Sequence, residues 1–251
     1  MESLKDKLFI GIDPGISGAI VMLSPIELSY NKLENYEPNT TMIIANPVDP
    51  SKKQILYRLL LNNCSLMPIE KSIDNIPIQN RFINSQKLDF IFQDFWESYG
   101  HRCIHITCEY PFTSSKDSGY SMLTYGINFG ILLSAIQRNG NYDRTKFILP
   151  IKWTSYFKKF LTRNILDNAS LKENKKLLGR ALFFNFVSPD DISFTGIGKV
   201  AYSKIKGAGI HDAFSIALYT ILNTIQDHGY EVSLVLNKDF YNILKGISSG
   251  R

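Results

Sequence analysis

The run from Phe9 to Val21, FIGIDPGISGAIV, constrains the fold of this chain more than any other stretch. Phe9, Ile10 and Ile12 form an apolar run that reads as a buried strand. Asp13 ends it, Pro14-Gly15 supplies a turn, and Ile16 to Ser24 resumes an apolar strand with Gly18 near its start. The product is a β-hairpin that holds one carboxylate at the end of a buried strand. A carboxylate so placed calls for a cation, a metal or a hydrogen-bond network beside it, because burying it alone is costly. Asp-Pro-Gly is also ordinary turn chemistry, so on this stretch alone Asp13 is either a turn cap or a site residue.

The rest of the chain decides between the two. Met42 to Ala45 reads as a third strand, and the spacing of Ile55, Leu59 and their neighbours predicts a helix over Ser51 to Leu61. Residues 62–84, rich in Asn, Pro and Ser, are too long for a normal loop and read as an insertion. Ser85 is the expected N-cap of a helix that Gly100 stops. Arg102 to Cys108 alternates as a strand, and Glu109 follows it at once, so a second carboxylate stands at the end of a second strand. A long helix over Gly119 to Asn139 carries Gly126 and Gly130 four apart, where another backbone can approach. Thr145 to Pro150 is a further strand, Ile151 to Arg163 is basic and aromatic, and Ser170 caps a helix over Leu171 to Phe186. Pro189 to Gly209 is loop-like, with glycines alternating with Lys199, Lys204 and Lys206. The last helix, Ile210 to Asp227, opens on His211-Asp212, where Asp212 in the first turn suits the helix dipole. Ala213 and Ala217 give that helix a small face for a sheet.

At 251 residues the chain can bury a substantial core, and it shows neither repeat nor low-complexity tract. It therefore reads as a single α/β domain over 1–251, with 231–251 as a C-terminal extension. A net charge of +5 is compatible with an anionic partner and equally with an ordinary solubility margin. The three cysteines, Cys64, Cys103 and Cys108, form no C-x-x-C pair. With no secretion signal in MESLKDKLF, they point to a reducing, intracellular setting. No window reaches the ~18 continuous apolar residues of a membrane span.

If the two strands are neighbours, Asp13 and Glu109 lie at one edge of one sheet, and a helix packed there by Ala213 and Ala217 brings Asp212 to them. Three crowded carboxylates raise one another's pKa unless something compensates. Hard divalent cations resolve the conflict, and Mg²⁺ commonly uses one or two carboxylates together with substrate phosphate oxygens. Two such ions roughly 4 Å apart can activate a water and stabilise the leaving oxygen in phosphodiester hydrolysis.

In order and content the chain resembles the RuvC-like Holliday junction resolvases of the ribonuclease H-like superfamily, particularly their phage and viral members. GIDPGISGAIV (Gly11 to Val21) looks like the family's first strand and turn, and ITCEYPF (Ile106 to Phe112) like the strand that carries its catalytic Glu. GYSMLTYGINFGILLSAI (Gly119 to Ile136) resembles the long helix at the family's dimer interface. FILPIKW (Phe147 to Trp153) resembles the strand followed by Trp and Lys, and HDAFSIALY (His211 to Tyr219) the closing helix with the last ligand. The resemblance implies a ribonuclease H-like fold with a mixed five-stranded sheet flanked by helices. It also implies Asp13, Glu109 and Asp212 as ligands of two Mg²⁺ ions, with Mn²⁺ as a substitute, and a homodimer that makes paired nicks in four-way DNA junctions. Phe112 then matches the aromatic that wedges into the junction, and Gly126 and Gly130 fall in the dimer interface.

The family's further acidic or His ligand, three or four residues before the last Asp, is missing: those positions are Gly209 and Ala208. His211 as ligand or proton-transfer group, Asp190 or Asp191 from the preceding loop, and a degenerate site are the alternatives. Lys116, Lys152, Lys204 and Lys206 are the candidate phosphate contacts, against the ordinary reading of solvated lysines. Phe112 is a base-stacking aromatic or a loop side chain folded on the core. Trp153 reads as core, and Gly126 and Gly130 alternatively mark close helix–sheet packing. Three rival functions remain: a non-catalytic branched-DNA-binding protein, another nuclease or transposase of the superfamily, and an ATPase of the actin and sugar-kinase class. The last also opens on such a hairpin, but its second phosphate-binding hairpin is not evident here.

Overall fold

The computed structural model describes residues 4–28, 41–70, 82–100, 102–111, 118–140, 142–158, 171–187 and 208–236. The strands are β1 (Lys7–Asp13), β2 (Ala19–Leu28), β3 (Met42–Pro47), β4 (Ile55–Leu66), β5 (Ile69–Glu70), β6 (Phe82–Ile83), β7 (Cys103–Glu109), β8 (Thr145–Ile148) and β9 (Tyr230–Val235). The helices are α1 (Ser85–Tyr99), α2 (Gly119–Arg138), α3 (Pro150–Lys158), α4 (Leu171–Phe186) and α5 (Ala208–Asp227).

The main sheet has seven strands in the order β8-β7-β1-β2-β4-β3-β9, and β5 and β6 form a separate small ladder. β7 runs parallel to both β1 and β8, whereas β2 is antiparallel to β1 and β4 is antiparallel to β2. The five strands β8-β7-β1-β2-β4 form a mixed sheet flanked by helices, as expected. The sheet is two strands wider than the five expected, because β3 pairs outside β4 and β9 pairs outside β3, both antiparallel.

Alternation along β1 shows how the sheet is sandwiched. Leu8, Ile10 and Ile12 join a core with Leu88, Phe92 and Phe95 of α1 and Leu132, Ala135 and Ile136 of α2. Phe9 joins a separate core with Phe214, Ala217 and Ile221 of α5, Leu182 and Phe183 of α4, and Trp153 and Phe157 of α3. Side chains on one strand point to opposite faces in turn, so residues 9, 11 and 13 share the face that α5 covers.

Several local expectations change. Ile55–Leu66 is a strand, not the helix expected over Ser51 to Leu61. Its leucine-rich run satisfies a helical spacing as well as a strand one, and pairing to β2 on one side and β3 on the other decides the matter. The start of the expected insertion is therefore sheet: residues 62–66 complete β4, and 71–81 lie outside the described residues. The N-cap of α1 is Asn84 in place of Ser85, its side chain accepting from Lys87 N at 2.8 Å. The last helix starts at Ala208, two residues early, which moves Asp212 into its second turn, where the dipole contributes little. The start of the expected C-terminal extension is β9, whose Val232 and Leu234 pack on the α5 side.

Candidate active site

Asp13 and Glu109 close adjoining parallel strands. The register pairs Ile12 with Cys108, so each carboxylate is the next residue on its own strand. They also share a face. Gly11, two residues before Asp13, lies against Ala213 and Ala217 of α5. Thr107, two residues before Glu109, accepts a 2.7 Å hydrogen bond from Thr220 of the same helix. Both carboxylates act electrostatically on the same neighbours. After burial, Asp13 and Glu109 are the charges that raise the Cys108 thiol and the Tyr125 hydroxyl of α2. Asp13 and Glu109 thus end adjoining strands at the same end of the sheet.

Each carboxylate is held locally. Asp13 Oδ1 accepts from Gly15 N at 3.0 Å, and Gly18 N donates to Gly15 O at 2.8 Å, so Asp13 does cap the turn. A Cβ on Gly18 would stand 2.1 Å from the Asp13 carbonyl oxygen, which explains glycine there. Glu109, 7 % exposed, accepts a 2.8 Å hydrogen bond at Oε2 from Trp153 Nε1. Trp153 is core, as expected, but its polar atom is bonded to Glu109.

α5 approaches the hairpin closely. A Cβ on Gly11 would lie 2.0 Å from the Ala213 carbonyl oxygen, and one on Gly209 would lie 1.9 Å from the Ser17 carbonyl oxygen. Any side chain at 209 collides with the first turn, so the acid or His that the resemblance leads one to seek there has no room. Asp212 is half-buried on the same helix, and a Cβ on Gly179 of α4 would be 3.2 Å from its Oδ1. Gly179 thus leaves space for the Asp212 carboxylate beside α4. Among the described residues, no three His, Cys, Asp or Glu side chains stand together closely enough to hold a metal ion. The donor type still fits: two hard carboxylates on adjoining strand ends, with a third on the helix packed over that face, suit Mg²⁺.

His211 is 4 % exposed, its ring centroid 5.2 Å from that of Phe183 and 5.5 Å from that of Phe184. Among the described residues its Nε2 has no hydrogen-bond partner. Burial, with a smaller contribution from the Arg180 guanidinium, lowers the imidazole from 6.5 to about 4, so the ring is neutral near pH 7. Its present contacts are with α4 aromatics.

Lys152 is exposed on α3, one residue before Trp153. Phe112, Lys116, Asp190, Asp191, Lys204 and Lys206 lie outside the described residues. Gly126 and Gly130 are exposed, and a Cβ on either would meet nothing within 4 Å, so close helix–sheet packing is not their reason. They lie among Met122, Leu123 and Ile127, which are 41 %, 62 % and 41 % exposed. No described helix is long and apolar enough to cross a membrane.

Sequence reasoning missed Trp153 as a partner of Glu109, Tyr125 as a hydroxyl that both strand-end carboxylates push up, and Gly179 as the space beside Asp212. A Trp shortly after a strand that pairs with β7 was the available signal for the first; a lone Tyr or Gly inside a helix carries none.

No family model matches the chain, and no curated protein sequence is similar to it. Among solved structures it is similar to Thermus thermophilus RuvC in complex with a Holliday junction substrate, with a TM-score of 0.43 at 12% identity. That match covers 90% of this chain and 99% of the other. It is also similar to a second Thermus thermophilus RuvC structure, with a TM-score of 0.42 at 11% identity and the same coverage.

Proposed function

We propose that this protein is a Mg²⁺-dependent endonuclease that resolves four-way DNA junctions as a homodimer. The observation that carries the reading is the placement of Asp13 and Glu109 at adjoining ends of two parallel strands, both facing the helix that bears Asp212. In this reading the three carboxylates hold the metal, with Mn²⁺ as a substitute. Bound there, two cations supply an activated water and charge stabilisation for the leaving oxygen. The Gly15 amide holds the Asp13 carboxylate in the turn. His211, neutral and buried, takes a ligand or proton-transfer role only if the Phe183–Phe184 pair parts to expose Nε2.

Lys152, exposed and one residue before Trp153, is assigned a phosphate contact in this reading, together with Lys116, Lys204 and Lys206. Phe112, three residues after Glu109, props the junction by stacking. The exposed Met122, Leu123 and Ile127 beside the open glycines of α2 support pairing with a second copy. A two-fold dimer would set one site against each of two strands of a two-fold junction. One observation favours a second reading, a junction-binding protein without catalysis: Gly209 leaves no room for a further acid beside the first turn.

The test is incubation of labelled mobile and immobile four-way junctions with the full chain in Mg²⁺, with the nicks mapped. Paired symmetric nicks are expected. Asymmetric nicking, or cleavage of plain duplex at an equal rate, removes the resolvase assignment, and tight junction binding without nicks selects the non-catalytic reading.

A further inference from the structure

Trp153 is fully buried, yet its one polar atom is aimed at a carboxylate. Core packing accounts for the ring and not for that direction. An indole N–H can only donate, and a bond to an ionised carboxylate is roughly twice as strong as one between neutral groups. The backbone makes the placement rigid. β8 pairs Ile148 with Glu109, and Tyr110 N donates to Ile148 O at 2.6 Å, so the chain leaving β8 is pinned beside the end of β7. α3 begins at Pro150, and the Thr154 hydroxyl donates to the Pro150 carbonyl at 2.8 Å. Trp153 therefore reaches Glu109 from an element anchored to the neighbouring strand, while Lys152 before it faces solvent.

We infer that Trp153 is a positioning residue: its indole N–H fixes the orientation in which the Glu109 carboxylate meets a divalent cation. This inference rests on the metal site of the proposed function and adds to it the group that sets the geometry of one ligand. Hydrogen-bonded partners of ligating carboxylates hold their orientation and raise metal affinity, and losing one typically costs tenfold or more.

The chain has two tryptophans, and the other, Trp96, donates to the neutral Asn139 carbonyl at 3.0 Å, which makes it an internal control. In the ¹⁵N-labelled full-length protein the two indole N–H resonances are assigned with Trp96→Phe. Glu109→Gln should move the Trp153 resonance and leave that of Trp96 in place. Titration with MgCl₂ should move the Trp153 resonance in the wild type and not in Asp13→Asn. By calorimetry, folded Trp153→Phe should bind Mg²⁺ about tenfold or more weakly. A Trp153 resonance indifferent to both Glu109→Gln and Mg²⁺ overturns the inference even if Trp153→Phe fails to fold. Equal Mg²⁺ affinity in the wild type and folded Trp153→Phe overturns the positioning role and leaves the metal site standing. Absence of Mg²⁺ binding by the wild type overturns both.

Discussion

Gly11 of the first strand packs directly on Ala213 of the last helix: a Cβ on Gly11 would lie 2.0 Å from the Ala213 carbonyl oxygen and 2.5 Å from the Ala217 nitrogen. Both obstacles are backbone, so rotamer changes cannot relieve them. Gly11→Ala should destabilise the protein by about 3 kcal/mol or more, read as a lower urea midpoint. Because the residue lies two positions before Asp13, the same substitution should also weaken Mg²⁺ binding in whatever fraction remains folded.

Asp13→Asn keeps an oxygen for the Gly15 amide and removes the charge. Cleavage of four-way junctions in Mg²⁺ should fall below detection while gel-shift affinity for the junction persists. Full cleavage by this variant would remove Asp13 from the metal site.

Replacing Leu123, the most exposed of the apolar side chains around the α2 glycines, by Glu should break the proposed dimer. A central interface side chain is worth about 2 kcal/mol, so the dissociation constant should rise about thirtyfold. Sedimentation velocity reads this directly, and a wild type that stays monomeric at every concentration sampled would dispose of the α2 interface.

His211 makes stability depend on pH. Its folded value of about 4 lies below 6.5, so the unfolded chain binds more protons between those limits. Stability is therefore full above 6.5 and is lost as pH falls toward 4, by an amount on the order of 2 to 3 kcal/mol. His105, also held down chiefly by burial and then by Lys7, Lys146 and His228, adds loss in the same direction. Urea unfolding at a series of pH values should show the slope, and His211→Phe should flatten it between pH 6.5 and 4. An unchanged slope would mean that the ring is not buried in solution.

The strands that carry the carboxylates were legible because buried strands announce themselves by short apolar runs, and Asp13 and Glu109 each end such a run. Their pairing was legible only as a condition, since nothing local says which strands are neighbours. β4 misled because leucines at Leu56, Leu59, Leu60 and Leu61 fit a helical face as well as alternate strand sites, and only pairing on both edges decides. The Trp153–Glu109 bond was hidden because burial of a Trp reads the same whether or not its N–H has a task. Gly209 looked like a lost ligand. In space it is a contact surface, fitted against Ser17 and Gly18 at the cost of any side chain.

The outer edge of the sheet sets an order on the making of this protein. β3 is synthesised long before its partner β9, which comes just after the helix that carries Asp212. Until then β3 presents an unpaired row of amides and carbonyls, the kind of edge that recruits foreign strands. Contacts joining such distant parts of a chain form slowly. The nascent chain thus holds Asp13 and Glu109 before the sheet is complete, and the segment that carries Asp212 runs on into the strand that covers β3 and becomes the edge in its place.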